Sequence, residues 1–317
     1  MKRTTYPRAG AVHAGLLMAG VLAAGVAVAS CQGAGAEQPP GWRTDGPPGW
    51  QVGNPIRESL SPPPGAATAA QARADTLAAA LGLAGRARPA VRERDVRNER
   101  DVDEVTLADA AGETTARFTF DAATGTPVMI VRLNRPDGAG AARVDARSAP
   151  GAARSHLGAA GLAAPTGSPR VRWDPGLESW TVGWERTIGG VLAPGDGTFV
   201  AVLPGGEFAA LSVVETPAAP APAKRIAPAR AREAAMTWAV ARGLASFKGF
   251  SVAPPTLEWR QANDFVEPAK PDSPEPLLRL VYAVTFSYVP QGEESPRLLV
   301  LYVDASNGTL IGGAETA

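Results

Sequence analysis

The sequence predicts an α+β chain of repeated units, each one helix packed on a three- to four-stranded antiparallel sheet. Three observations predict it. Three stretches have the apolar–turn–apolar form of hairpins. An alanine-rich stripe of helical spacing lies upstream of each. Strands of alternating pattern fall between stripe and hairpin. The stripes pass through Ala70, Ala153 and Ala231, a near-regular spacing of the kind that marks repeats.

The chain opens on Lys2, Arg3 and Arg8, with no acidic residue before Glu37. Leu16 to Ala29 is uncharged and apolar, about fourteen residues, where a spanning helix takes roughly twenty. It ends in Val28-Ala29-Ser30-Cys31, and Cys31 is the single cysteine of the chain. This resembles a bacterial lipoprotein signal. The resemblance implies cleavage between Ser30 and Cys31, a diacylglycerol on the Cys31 thiol, and a protein exported and anchored to the outer face of a bacterial membrane. An ordinary secretory signal beside a buried cysteine is the alternative. An uncleaved anchor helix is a third, weakened by Gly20 and Gly25. Residues 1–30 are thus a leader. Residues 31–65 are a Pro/Gly-rich tether with two Pro-Pro-Gly-Trp echoes ending at Trp42 and Trp50, an extended spacer without apolar periodicity.

The first unit, residues 66–140, has the stripe Ala70, Ala74, Leu77, Leu81, Ala84 and the hairpin Arg117–Ile130. Its stretch Arg92–Glu104 is a mixed-charge run that reads as a solvated face. The second unit, 141–216, has Ala153, Leu157 and Ala160 behind Ser148 as cap and Pro150 in the first turn. Strands follow at Val171–Trp173 and Trp180–Trp184, then a hairpin over Phe199–Leu211. Residues 217–228 are a Pro/Ala linker that lets the last unit move as a body. The third unit, 229–317, has Ala231, Ala234, Trp238, Ala241 and Leu244, strands at Leu257–Arg260 and Leu280–Tyr288, and the hairpin Leu301–Ile311. Val266 to Leu277 is an exposed insertion. Asp121 and Asp304 accept from turn amides, and a glycine in each hairpin turn supplies positive φ.

The Ala231–Leu244 helix with Leu280–Tyr288 and Leu298–Ile311 resembles a PepSY domain. The middle unit, with Trp180–Arg186, Gly189-Gly190-Val191 and Asp196-Gly197-Thr198, resembles the repeats of YcdB/YcdC-type secreted bacterial proteins of the same broad group. The first unit departs from the pattern before its hairpin. The resemblance implies no catalytic residues. It implies an extracytoplasmic module that inhibits or regulates a secreted peptidase, or binds another envelope protein.

Composition narrows the function further. Lys+Arg and Asp+Glu are 31 each, which disfavours a nucleic-acid partner. Without residues 1–30 the chain carries 28 positive against 31 negative charges, so a bilayer would hold it through acylated Cys31 rather than by net charge. One cysteine excludes an intrachain disulfide and a thiolate zinc cluster. His156 is the only histidine beyond the leader, and no Gly-x-Ser-x-Gly accompanies it. Asp101-Val102-Asp103-Glu104 lacks calcium-loop spacing, and Gly138-Ala139-Gly140 lacks the rest of a phosphate cradle. No metal, cofactor or catalytic residue is therefore assigned. The nearest approach to a ligand site is Trp180, Trp184 and Glu185, with Trp173, Asp174 and Glu178 beside them. Indole faces stack on sugars, and two facing carboxylates cleave glycosides. Alternation along 180, 182 and 184 equally packs both indoles under a helix. The expected function is a lipid-anchored binding or regulatory protein. An envelope glycan hydrolase or carbohydrate binder, and a structural spacer lipoprotein, are the alternatives.

Overall fold

The computed structural model describes residues 57–61, 63–95, 100–134, 143–174, 178–263, 265–266 and 277–316. Ser30, Cys31, Trp42 and Trp50 lie outside them. The described residues form α1 (Ala66–Ala80), α2 (Ala149–Ala159) and α3 (Pro228–Ala241), a 3-10 turn at Leu244–Ser246, and two antiparallel sheets.

The first sheet has ten strands. They are β1 (Arg57–Leu60), β2 (Arg86–Ala87), β3 (Val91–Asp95), β4 (Arg100–Ala108), β5 (Thr114–Asp121), β6 (Pro127–Arg132), β7 (Arg170–Asp174), β8 (Ser179–Ile188), β9 (Val191–Val202) and β10 (Phe208–Val214). Their order is β1-β3-β4-β5-β6-β10-β9-β8-β7, with β2 on β4. The expected series of helix-on-sheet units is therefore overturned: the first two predicted units share one sheet. The seam is β6 against β10, which pairs Val131 with Ala210 and Ile130 with Leu211. Its cause is that both strands are apolar on both faces. Left apart, each would expose a hydrophobic edge. Joined, they bury Ile130 and Leu211 beneath the helices and Val131 and Ala210 on the opposite face. One core under α1 and α2 gathers Ala74, Leu77, Phe118, Phe120, Ala153, Leu157, Val182 and Trp184.

The mixed-charge run is not a solvated face. It is the β3–β4 pair, and opposite charges set across the strands replace the usual apolar pairs. Arg92 faces Asp103, Arg94 faces Asp101, and Asp95 faces Arg100 in register, each as an ion pair. Asp103 is 4% exposed.

The second sheet is β11 (Lys248–Val252), β12 (Thr256–Gln261), β13 (Leu278–Val289), β14 (Arg297–Asp304) and β15 (Leu310–Thr316), with β11 and β12 both on β13. Under it α3 buries Ala231, Ala235 and Ala239. The predicted stripe through Ala234, Trp238 and Ala241 is rotated from this one. Alanines four apart let the helix backbone approach the sheet closely, and bulky Trp238 stays at the flank, beside Phe265 and under the Arg242 guanidinium. Ser148 does not cap α2 either: its Oγ donates to Asp145 Oδ1 at 2.7 Å.

Local turn chemistry falls where the residues place it. Asp121 Oδ1 accepts from the N–H of Ala123 and Thr124 at 3.1 and 2.8 Å, and Gly125 has φ 71°. Asp304 Oδ1 accepts from Ser306 N–H at 2.8 Å, and Gly308 has φ 84°.

The Pro/Ala segment after β10 is not a loose joint. Pro217 C=O accepts from Leu278 N–H, and Ala219 N–H donates to Leu278 C=O, both at 2.8 Å. The β8–β9 hairpin reaches into the second core, where Ala193 is buried and Ile188 and Val191 pack. Trp259 Nε1–H donates to Ile188 C=O at 3.0 Å. Of the predicted insertion, Val266 is buried; residues 267–276 lie outside the described set.

Candidate functional site

Strand β7 ends the large sheet, and among the described residues no strand pairs with its outer edge. Trp173 lies opposite Trp180 in register, with ring centroids 5.2 Å apart at 64°. Such edge-to-face packing adds to simple burial. Trp180 is fixed by its Nε1–H, which donates to Val144 C=O at 2.9 Å. Trp173 remains 37% exposed.

Trp184 lies further along the same face, 5% exposed in the core, with the Arg154 guanidinium 5.4 Å above its ring. Both ring faces are thus occupied by protein. Glu185 projects to the opposite face, as its neighbour in the strand must. Arg170 Nη1 stands 3.5 Å from its carboxylate, and Gly195 N–H donates to it at 3.4 Å. The structure therefore brings Trp180 together with Trp173 and sets Glu185 apart. Asp174 is paired in register with Ser179, six residues from Glu185 along β8. At about 3.3 Å per residue that is roughly 20 Å. A glycosidase pair needs roughly 5–10 Å, so these two carboxylates cannot act on one glycosidic bond.

His156 is spent on structure. Its Nε2 lies 2.9 Å from Gly206 C=O, which makes Nε2–H the donor, and its ring meets Phe208 edge-on. Burial pushes its pKa below 6.5; the Gly206 hydrogen bond works against that shift and Arg132 adds to it.

A second polar locus, invisible in the sequence, lies between the sheets. Asp196 on β9 is 2% exposed. It accepts from Thr216 N–H at 2.8 Å and ion-pairs with Arg186 Nε at 2.7 Å, while Arg186 also donates to Thr216 C=O. Burial pushes the Asp196 carboxyl up, more than the Thr216 hydrogen bond and Arg186 pull it down. Arg260 reaches from β12 to Pro194 C=O. The adjoining cavity, bounded by Asp196, Thr216, Arg260 and Leu278, measures about 30 Å³. That holds a water or two and is far below a substrate pocket. The group is a joint between sheets. Its only sequence signal was Asp196-Gly197, and the arginine ten residues earlier could not be matched to it without the β8–β9 register.

Among the described residues no three His, Cys, Asp or Glu side chains gather as a metal site, and no helix is long and apolar enough to cross a membrane. No family model and no curated protein matches the sequence. Among solved structures the chain is similar to the Bacillus megaterium YpeB C-terminal domain. The identity is 13% and the TM-score 0.41, covering 82% of this chain and 99% of that one.

Proposed function

We propose that this chain is an exported, lipid-anchored binding protein that regulates a secreted peptidase or another envelope protein by docking it on the outer edge of β7. The observation that carries the reading is the open edge itself. The first sheet ends there, with no strand on that edge among the described residues, beside an indole that is 37% exposed and held edge-to-face against Trp180. An extended segment of a partner completes such an edge through main-chain hydrogen bonds, and an aromatic flank supplies selectivity. The PepSY-like residues of the last third, and the lipoprotein-like leader ending in Cys31, support a regulatory role outside the cytoplasm.

The test is site-specific photo-crosslinking in cells. A benzophenone side chain at Trp173 is expected to yield one dominant adduct with an exported protein. The same group at exposed Val91, on β3, is the control. Identical adducts from both positions, or none from Trp173, would sink the reading. In a parallel measurement Cys31→Ser is expected to abolish incorporation of radiolabelled palmitate.

A further inference from the structure

The segment from Pro217 to Lys248 carries six cations, Lys224, Arg225, Arg230, Arg232, Arg242 and Lys248, against one acid, Glu233. Four of them, Lys224, Arg225, Arg230 and Arg232, fall within nine residues and are exposed. None of these four side chains makes an ion pair or hydrogen bond among the described residues. The large sheet treats its cations differently: Arg92, Arg94, Arg100, Arg117, Arg170 and Arg186 each face a carboxylate. Among the described residues, a chain of zero net charge thus concentrates an excess of positive charge at one place.

That place is held firmly. Ile226, between the two cation pairs, donates its N–H to Ala305 C=O at 2.9 Å, and its C=O accepts from Tyr282 Oη–H at 3.1 Å. α3 starts two residues later with no side-chain cap and no acid in its first turn. The positive end of the helix therefore adds to the field instead of being neutralised. Further along the same helix Val240 is 54% exposed. The cations are long, flexible and exposed. A free phosphate would need converging, buried donors; a plane of phosphates needs only a local excess of cations.

We infer that this surface docks the folded body on a layer of anionic phospholipid headgroups. It belongs to the helix under the second sheet, whereas the β7 edge belongs to the first. It draws on the lipid-anchor reading only for the membrane's presence nearby. The predicted tether, residues 31–65, is shortened by β1 at Arg57–Leu60, and the 26 residues from Cys31 to Ile56 reach at most about 90 Å. It therefore limits distance without choosing which face meets the bilayer, and the cation cluster makes that choice.

The experiment compares binding of the mature chain, from Cys31 onward, to vesicles of pure phosphatidylcholine with binding to vesicles of equal parts phosphatidylcholine and phosphatidylglycerol. Leaving out the leader removes Lys2, Arg3 and Arg8, which would themselves favour anionic vesicles; an acyl chain contributes to both, so the ratio isolates the cluster. Each Lys or Arg at an anionic surface strengthens binding about fivefold. The wild type is expected to prefer the anionic vesicles strongly, with the preference fading in high salt. Arg230→Gln alone is expected to lower it about fivefold. Lys224→Glu, Arg225→Glu, Arg230→Glu and Arg232→Glu together are expected to abolish it. Lys224→Arg with Arg225→Lys, Arg230→Lys and Arg232→Lys retains it, and unchanged melting curves separate charge from misfolding. Equal binding of the wild type to both vesicles overturns the inference, as does a preference that survives charge reversal. Binding to polyglutamate without any vesicle preference overturns it in favour of an acidic protein partner.

Discussion

Arg92 places Nε and a terminal nitrogen 2.7 and 2.8 Å from the two carboxylate oxygens of Asp103. The hydrogen bond to Asp103 is the chief reason that the Arg92 pKa is raised. Removing one member of such a buried pair leaves the other desolvated and alone, which costs far more than the pair contributes. Asp103→Ala is expected to lower unfolding free energy by about 3 kcal/mol in urea titration. Arg92→Met with Asp103→Leu is expected to recover most of it. His156 gives the pH counterpart. Its native pKa lies below 6.5, so the unfolded chain takes up the proton first. The contribution of neutral His156 is complete above 6.5 and is lost as pH falls from there through the native pKa. Ring-proton NMR is expected to show a midpoint below 6.5, and the acid-side loss relative to neutral pH is expected to shrink in His156→Gln. Single residues were unevenly legible. Asp121 and Asp304 announce their turns because their partners are two or three residues away. Asp103 reads as solvent-facing because its partner lies eleven residues off, across a strand pair that charge, not hydrophobicity, defines.

At the scale of elements, alternation and helical spacing place all three helices and most strands, yet not always the buried face. α3 shows why. Ala231, Ala235 and Ala239 are fully buried, but an alanine-rich helix offers several stripes of equal apolarity. Only packing selects among them. The small stripe wins because it admits the backbone close to β13 and β14. Ala235→Leu, which a hydropathy argument would rate as harmless, is therefore expected to destabilise by about 1–3 kcal/mol through overpacking. Thr237→Leu, on the exposed side of the same helix, is expected to change little, and thermal melts of the two variants separate them. The bend in β8–β9 follows the same logic. Register shifts between Glu185 and Arg186, opposite Gly197 at φ 134°, where a side chain would run into the Trp184 carbonyl. This bulge gives room for Arg186 to meet Asp196.

The whole molecule is decided by pairings that join distant residues. β6 meets β10 across about eighty residues of chain, and nothing local to Val128–Val131 or Phe208–Leu211 names the other as its neighbour. A sequence of similar hairpins and helices therefore reads as separate units, while the exposed apolar edges those units would leave drive them into one sheet. The two sheets are tied in turn by the hairpin tip Ile188–Val191, by Trp259 and by the strapped segment at Pro217–Ala219. Ties of this kind couple unfolding, because opening either sheet exposes apolar surface of the other. The described body is accordingly expected to melt in a single calorimetric transition whose calorimetric and van't Hoff enthalpies agree. Trp259→Ala removes both a buried indole and the donor to Ile188. It is expected to cost about 3–5 kcal/mol, to split the transition in two, and to open the chain near Ala218 to limited proteolysis. Two transitions in the unmodified protein would instead mean that the sheets unfold independently, and that the Asp196–Arg186–Thr216 joint contributes too little to link them.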